Sequence, residues 1–280
     1  MQQFKSLLQR EWLQQHRSWL SIALFTPLIG WALFYLFVLK AGFPPGFSHG
    51  GTPLLNMASL GLIGQSSLIG IVTLVGVLIN IPGLPYRDQD DKSLAFWRSL
   101  PISDVKAVAA PLLMNALVLP LMAITLAFAM GLLLSAPLWL YDFHFAAARD
   151  LILVFNRVVL GALLGLVWFL PLVMLLTLGN SFIRRWGMLL VIVGVFMLDN
   201  VMSNVIGHEP IGDQIGLSFS AIKQLIFPFN GASFEHLAFS GQELSNLVLY
   251  VANGHFLQAL VWTAVLFAAL VWQRQRGVTA

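Results

Sequence analysis

Few residues in this 280-residue sequence have the type and spacing to do covalent chemistry. Gly64-Gln65-Ser66-Ser67 offers serines as nucleophiles. They lie inside an apolar run, where a hydroxyl usually bonds back to its own helix. The histidines His49, His144, His208, His236 and His255 fall in different segments, with no His-Glu-x-x-His and no paired-carboxylate pattern. Cysteine is absent, which excludes disulfides, thiolate metal sites, iron–sulfur clusters and cysteine nucleophiles together. No G-x-x-x-x-G-K-[ST] occurs, so the chain has no P-loop to cradle a nucleotide phosphate. What remains is recognition chemistry. Asp199 with Asn200, Ser203 and Asn204 forms a polar stripe late in an apolar run. A carboxylate at mid-membrane costs about 2.5–3.5 kcal/mol on insertion scales. Two readings follow: the stripe lines a polar path, or the helix ends early and Asp199 caps a loop.

The segment Arg87–Lys106, RDQDDKSLAFWRSLPISDVK, carries the most information. Asp90 or Asp91 can cap a short helix over about Lys92–Leu100, and Pro101 stops it. Ser103 is then a natural N-cap for the next helix, with Asp104 in its first turn. The short helix presents Leu94, Phe96, Trp97 and Leu100 between Lys92 and Arg98. A polar loop has little reason to expose Phe and Trp together. They lie on a membrane surface or dock into a partner.

The elements that must position these residues follow from composition. The chain is 58% hydrophobic and 10% charged, with a mean hydropathy of +0.83. A soluble domain carries about 25% charged residues. A transmembrane helix needs roughly 20 mostly apolar residues, and six stretches qualify: Trp19–Leu39, Met57–Pro82, Val105–Leu134, Leu151–Leu178, Met188–Ile206 and His255–Trp272. Pro27, Pro111, Pro120 and Pro171 fall inside them and predict kinks rather than ends. Gln65, Asn80 and Asn115 predict helix–helix hydrogen bonds, and Gly161-x-x-x-Gly165 a close-packing site.

Eleven of the 15 basic residues fall on one side of this arrangement: Lys5, Arg10, Arg17, Arg87, Lys92, Arg98, Lys106, Arg184, Arg185, Arg274 and Arg276. Lys40, Arg149, Arg157 and Lys223 fall on the other. The positive-inside bias puts both termini in the cytoplasm. The formal charge of +3 is too small and scattered for a nucleic-acid footprint. No cleavable signal peptide fits the first apolar run. Residues 1–18 predict an amphipathic surface helix, with Phe4, Leu7, Leu8 and Trp12 on one arc. Glu11 falls inside that arc, either as a rim charge held by Lys or Arg a turn away or as a contact with another protein. The expected fold is therefore an all-α polytopic membrane protein. An interfacial helix (1–18) precedes a six-span domain (19–280) whose spans 5 and 6 are joined by the outer segment 207–254.

Two segments carry a family resemblance. Arg10-Glu11-Trp12 and His16-Arg17-Ser18-Trp19 lead into six spans, and Ser93-Leu94-Ala95-Phe96-Trp97-Arg98-Ser99-Leu100-Pro101-Ile102-Ser103 follows the second. Together they resemble the permease subunits of type-2 ABC exporters (ABC-2 type). The family often carries Gly-Lys early in the third span, where this chain has Ala109-Ala110-Pro111. The resemblance implies a cytoplasmic coupling helix between spans 2 and 3 that sits in a groove on a separate ATP-binding cassette subunit. Leu94, Phe96, Trp97, Arg98 and Leu100 match it, with Glu11 as a further contact. It implies two copies of that ATPase, which carry the ATP and Mg, and a second permease, identical or homologous. This chain would then be a transport subunit, not an enzyme, with no cofactor of its own, in the inner membrane of a bacterial cell. The Glu-Ala-Ala loop of binding-protein-dependent importers is missing, which favours export. The sparse charges suit a lipid, a hydrophobic drug or a peptide as cargo.

Two rival readings exist. An ion-coupled secondary transporter usually shows repeated halves and several intramembrane ionisable groups; here there is no repeat and one clear candidate, Asp199. An intramembrane enzyme would need the constellations already found missing. The topology is testable directly. Reporter fusions after Gly46 and Gly231 are expected outside and one after Gln89 inside. A cytoplasmic signal at Gly231 overturns the six-span arrangement.

Overall fold

Every apolar run long enough to cross a bilayer is helical in the computed structural model. It describes residues 2–41, 53–85, 103–140, 145–183, 186–207, 212–213, 215–217, 219–220 and 254–276. The elements are α1 (Gln2–Ala41), α2 (Pro53–Asn80), α3 (Asp104–Leu113), α4 (Leu119–Leu140), α5 (Phe145–Phe182), α6 (Gly187–Ile206) and α7 (Gly254–Arg276). A five-residue π-helical segment, Met114–Val118, joins α3 to α4, so the two form one long third span. Six helices are thus long and apolar enough to span a membrane, and no strand occurs among the described residues.

The first helix corrects an expectation. The amphipathic arc predicts a separate surface helix over residues 1–18, but α1 runs unbroken from Gln2 to Ala41. Nothing at Ser18–Trp19 breaks the ladder. The nearby polar side chains turn back onto the same helix: Ser21 Oγ donates to Arg17 O (2.9 Å), and His16 Nδ1 lies 2.7 Å from Trp12 O. Forty residues at about 1.5 Å each make a rod of roughly 60 Å. That is about twice the hydrocarbon thickness of a bilayer. The apolar arc of its first third faces protein. Leu7 is buried, and Leu8 and Trp12 pack on the main core.

The main core draws side chains from α1, α2, the third span, α5 and α7. One carboxamide ties the first three together. Trp31 Nε1 donates to Gln65 Oε1 (2.6 Å), and Gln65 Nε2 donates to the Ala127 carbonyl. Gly131 makes room for it, since a Cβ there would sit 2.0 Å from Gln65 Oε1. Further along, Tyr35 Oη donates to Leu134 O at 2.7 Å, so the late parts of α1 and α4 meet. Asn80 departs from expectation. It bonds back to Gly76 O of its own helix (2.9 Å) rather than across to another.

The opposite end gathers the other termini. Arg274 Nε of α7 lies 3.5 Å from Asp104 Oδ1, at the start of α3. Gln273 Nε2 donates to Ser181 O near the end of α5 (2.9 Å). Asn180 Nδ2 donates to Pro82 O just beyond α2 (3.1 Å), while its Oδ1 accepts from Met188 N at the start of α6 (2.8 Å). Helix directions therefore alternate, and both ends of the described chain share one side of the bundle. Ser103 stands at the N-cap of α3 as expected, with extended backbone (φ −68°, ψ 143°), but its side chain makes no capping bond.

The turn between α5 and α6 depends on two glycines. A Cβ on Gly187 would lie 2.3 Å from Gly179 O and 2.5 Å from Asn180 Cα. One on Gly179 would lie 2.0 Å from Val191 Cγ2. By contrast, a Cβ on Gly194, further along α6, would meet nothing within 4 Å. Gly187→Ala is expected to destabilise the protein by about 1–3 kcal/mol through overpacking against backbone. Gly194→Ala should be neutral or stabilising by up to about 1 kcal/mol, from helix propensity. Thermal unfolding of both variants in detergent checks this; equal midpoints would mean that the hairpin is not close-packed.

Candidate functional site

The one carboxylate fully enclosed among the described residues is Glu11, with 0% of its surface exposed. Its helix position explains this. Glu11 lies on the same arc as Leu7 and Leu8, and that arc packs against the bundle. An ionised carboxylate in such a place needs charge and hydrogen bonds at once. Arg10 Nη2 and Nε reach its Oε1 at 2.7 and 3.2 Å, and Asn115 Nδ2 lies 3.3 Å from its Oε2. Neighbouring helical residues diverge by about 100°, so Arg10 reaches Glu11 only by curling its long arm around the helix. The Arg10 side chain retains 15% exposure while its partner has none.

Asn115 comes from the π-helical segment. Its neighbourhood explains the irregular backbone. Pro111 has no N–H to give to the carbonyl a turn earlier, and Pro120 lacks one in the first turn of α4. Between them Leu119 N–H reaches back five residues to Met114 O. Met114 N–H is shared between the carbonyls of Ala110 and Pro111. The Asn115 amide then fills two roles, donating to Pro111 O (2.9 Å) and to Glu11. Both partners are acceptors, which fixes which side of the amide is nitrogen. Its Oδ1 is buried and has no hydrogen-bonding partner among the described residues. Single-turn π segments of this kind concentrate at functional positions.

The residues singled out from sequence divide into three groups. Leu94, Phe96, Trp97, Arg98 and Leu100, with the expected short helix, lie outside the described residues. Glu11 is enclosed rather than on the rim, and the adjacent Arg10 is a cation paired with it. The reason is that α1 continues straight into the bundle instead of lying flat. Asp199, Asn200, Ser203 and Asn204 lie on α6, which continues through Ile206 and closes on Gly207 in the left-handed region (φ 77°). Asp199 therefore does not end the helix. It stands roughly 18 Å along it from Gly187, at about 1.5 Å per residue. Asn200 and Asn204 are exposed, Asp199 and Ser203 half-buried, and Asn204 Nδ2 bonds Asn200 O (2.7 Å) and Oδ1 (3.1 Å). Beyond Gly187 no described residue of α6 is buried.

The link between Glu11 and Asn115 was not legible in sequence as a pair. The available signal was that each is the odd residue in its own pattern: a carboxylate within an apolar arc, and the one carboxamide in the run Val105–Leu134. No cluster of three His, Asp or Glu able to hold a metal occurs among the described residues. No family model, curated protein or solved structure matches the chain.

The coupling of Glu11 to Asn115 can be measured. Glu11→Gln and Asn115→Leu are each expected to destabilise by about 1–3 kcal/mol, since each leaves an enclosed polar group short of a partner. The double variant should fall short of their sum by at least about 0.5 kcal/mol. Equilibrium unfolding in mixed micelles reads this; strict additivity would mean that the contact contributes nothing.

Proposed function

We propose that this chain is the membrane-spanning permease subunit of an ATP-driven exporter of the ABC-2 type, coupled to a separate ATP-binding subunit. The observation that carries the reading is the sequence between the second and third spans. There an aromatic pair, Phe96-Trp97, flanked by Arg98 and stopped by Pro101, stands where a polar connection is expected. An aromatic anchor beside an arginine is the usual composition of a protein–protein hot spot. The architecture supports it in two ways. α3, which follows that loop in sequence, begins at the same end of the bundle as both ends of the described chain, where the basic residues Arg10, Lys106, Arg274 and Arg276 also lie. A force applied to that loop reaches Asp104 directly and passes along the third span.

A second membrane subunit is part of the same reading. Asn200 and Asn204 on the outward surface of α6 would meet hydrocarbon if the chain stood alone. Polar side chains at that depth require protein or water against them. The Asp199–Asn204 stripe then lines the translocation path or its seam. Glu11 does not favour an ion-coupled carrier, because Arg10 already neutralises it.

Phe96→Ala combined with Trp97→Ala is expected to leave membrane levels normal, since neither residue belongs to a span. It should abolish co-purification of the ATPase or uncouple hydrolysis from export. Loss of one buried aromatic anchor is worth about 2 kcal/mol or more, over tenfold in occupancy. A double variant that assembles and transports like the parent overturns the assignment.

A further inference from the structure

Met114–Val118 combines three features that no other described segment shares. It is π-helical, it is bracketed by two prolines that each remove a backbone donor, and its one polar side chain is wholly buried. That side chain, Asn115, closes the segment onto α1 through Glu11 and onto the preceding turn through Pro111 O, yet its Oδ1 has no hydrogen-bonding partner among the described residues. A π turn flanked by two prolines without N–H donors, and holding an incompletely satisfied amide, has an alternative close in energy: an ordinary α-helical turn. We infer that Met114–Val118 is a two-state joint in the third span, held in its wide form by the Glu11–Asn115 contact. Rewinding it to α-helix turns the piece Asp104–Leu113 relative to α4.

The geometry of the change is specific. A π turn accommodates one extra residue, so rewinding shifts the register by one, about 100° of rotation and about 1.5 Å along the axis. Each residue of α3 then takes the angular place of the residue before it. Leu112, now 6% exposed, moves into the half-exposed place of Pro111. Leu113, now 38% exposed, moves into the buried place of Leu112. Residues above the joint, such as the fully buried Leu119, keep theirs. The joint goes beyond the proposed function: it is a property of the third span whatever drives it. It assigns Glu11 and Asn115 the role of a latch between α1 and that span.

The test exploits the absence of cysteine, which makes any introduced thiol unique. Leu112→Cys, Leu113→Cys and Leu119→Cys are made singly in the full chain and labelled with a water-soluble maleimide in proteoliposomes. Each is labelled with the latch intact, with Asn115→Leu and with Glu11→Gln. Releasing the latch is expected to speed labelling at position 112 about tenfold, to slow it at 113 by a similar factor, and to leave 119 unchanged. The opposite signs at adjacent positions separate a register shift from loosening. Faster labelling at both 112 and 113, or a change at 119, means that the helix unravels and overturns the joint. Unchanged rates at 112 and 113 in both latch variants mean static packing and overturn it equally. Deleting Ala116 removes the extra residue that the π turn absorbs and leaves α3 in its present register, so combined with Asn115→Leu it is expected to keep the parent rates at 112 and 113; the released pattern in that variant overturns the joint.

Discussion

Three helices meet at the side chain of Gln65, and the arrangement of the bundle depends on that meeting. An amide that accepts from the Trp31 indole and donates to the Ala127 carbonyl leaves neither hydrogen-bonding end of itself facing hydrocarbon. Inside a bilayer there is no water to substitute for a lost partner, so such a knot has little freedom to slide. It fixes α2 between α1 and α4 in both depth and rotation. The small residue at Gly131 is what lets the helices come close enough. A second fixed point, between Glu11 and Asn115, joins α1 to the same long span nearer its other end. Two points define a line, and α1 and the third span are held along one.

The rest of the molecule is tied less evenly. α5 packs on both α7 and α6 and also touches α2, and the side chains of Asn180 and Gln273 join their ends, the latter by donating to the Ser181 carbonyl. The fifth span leaves that cluster. After the close contact of Gly187 with Gly179, α6 shows large apolar side chains such as Ile192, Phe196 and Val201 outward along its length. A bilayer accepts those. Asn200 and Asn204 interrupt that apolar surface near the end of the helix, where Asn204 Nδ2 bonds back to Asn200 O and Oδ1.

Much of this was legible in sequence because length and hydropathy act locally. A run of apolar residues becomes a helix in a bilayer with almost no choice, since each backbone group must find a partner within its own segment. The six spans follow from that alone. Gln65 and Asn115 could be read as interhelical bonds because an amide in an apolar run has few other uses. Asn80 could not be told apart from them by type; only its place before Ile81-Pro82, where the helix tightens to a 3₁₀ turn, distinguishes it. Amphipathicity misled at the first helix. An apolar arc states that a face is covered and not by what, so Leu7, Leu8 and Trp12 gave the same pattern for a membrane surface as for a protein core. Glu11 on that arc was the discriminating residue, because lipid would exclude it and a protein interior with an arginine at hand does not.

The length of α1 has a mechanical consequence. From Trp31, at the Gln65 knot, to Gln2 the helix extends roughly 44 Å at about 1.5 Å per residue. Taken as a stiff lever about that knot, it has a long arm. A tilt of about ten degrees at the pivot sweeps its tip through roughly 8 Å, given that length. The Arg10–Glu11 pair sits some 30 Å from the fulcrum on the same scale, where the stroke is already about 5 Å. Because Asn115 grips the arm at that radius, the arm cannot swing by itself. It either carries the third span with it or lets go.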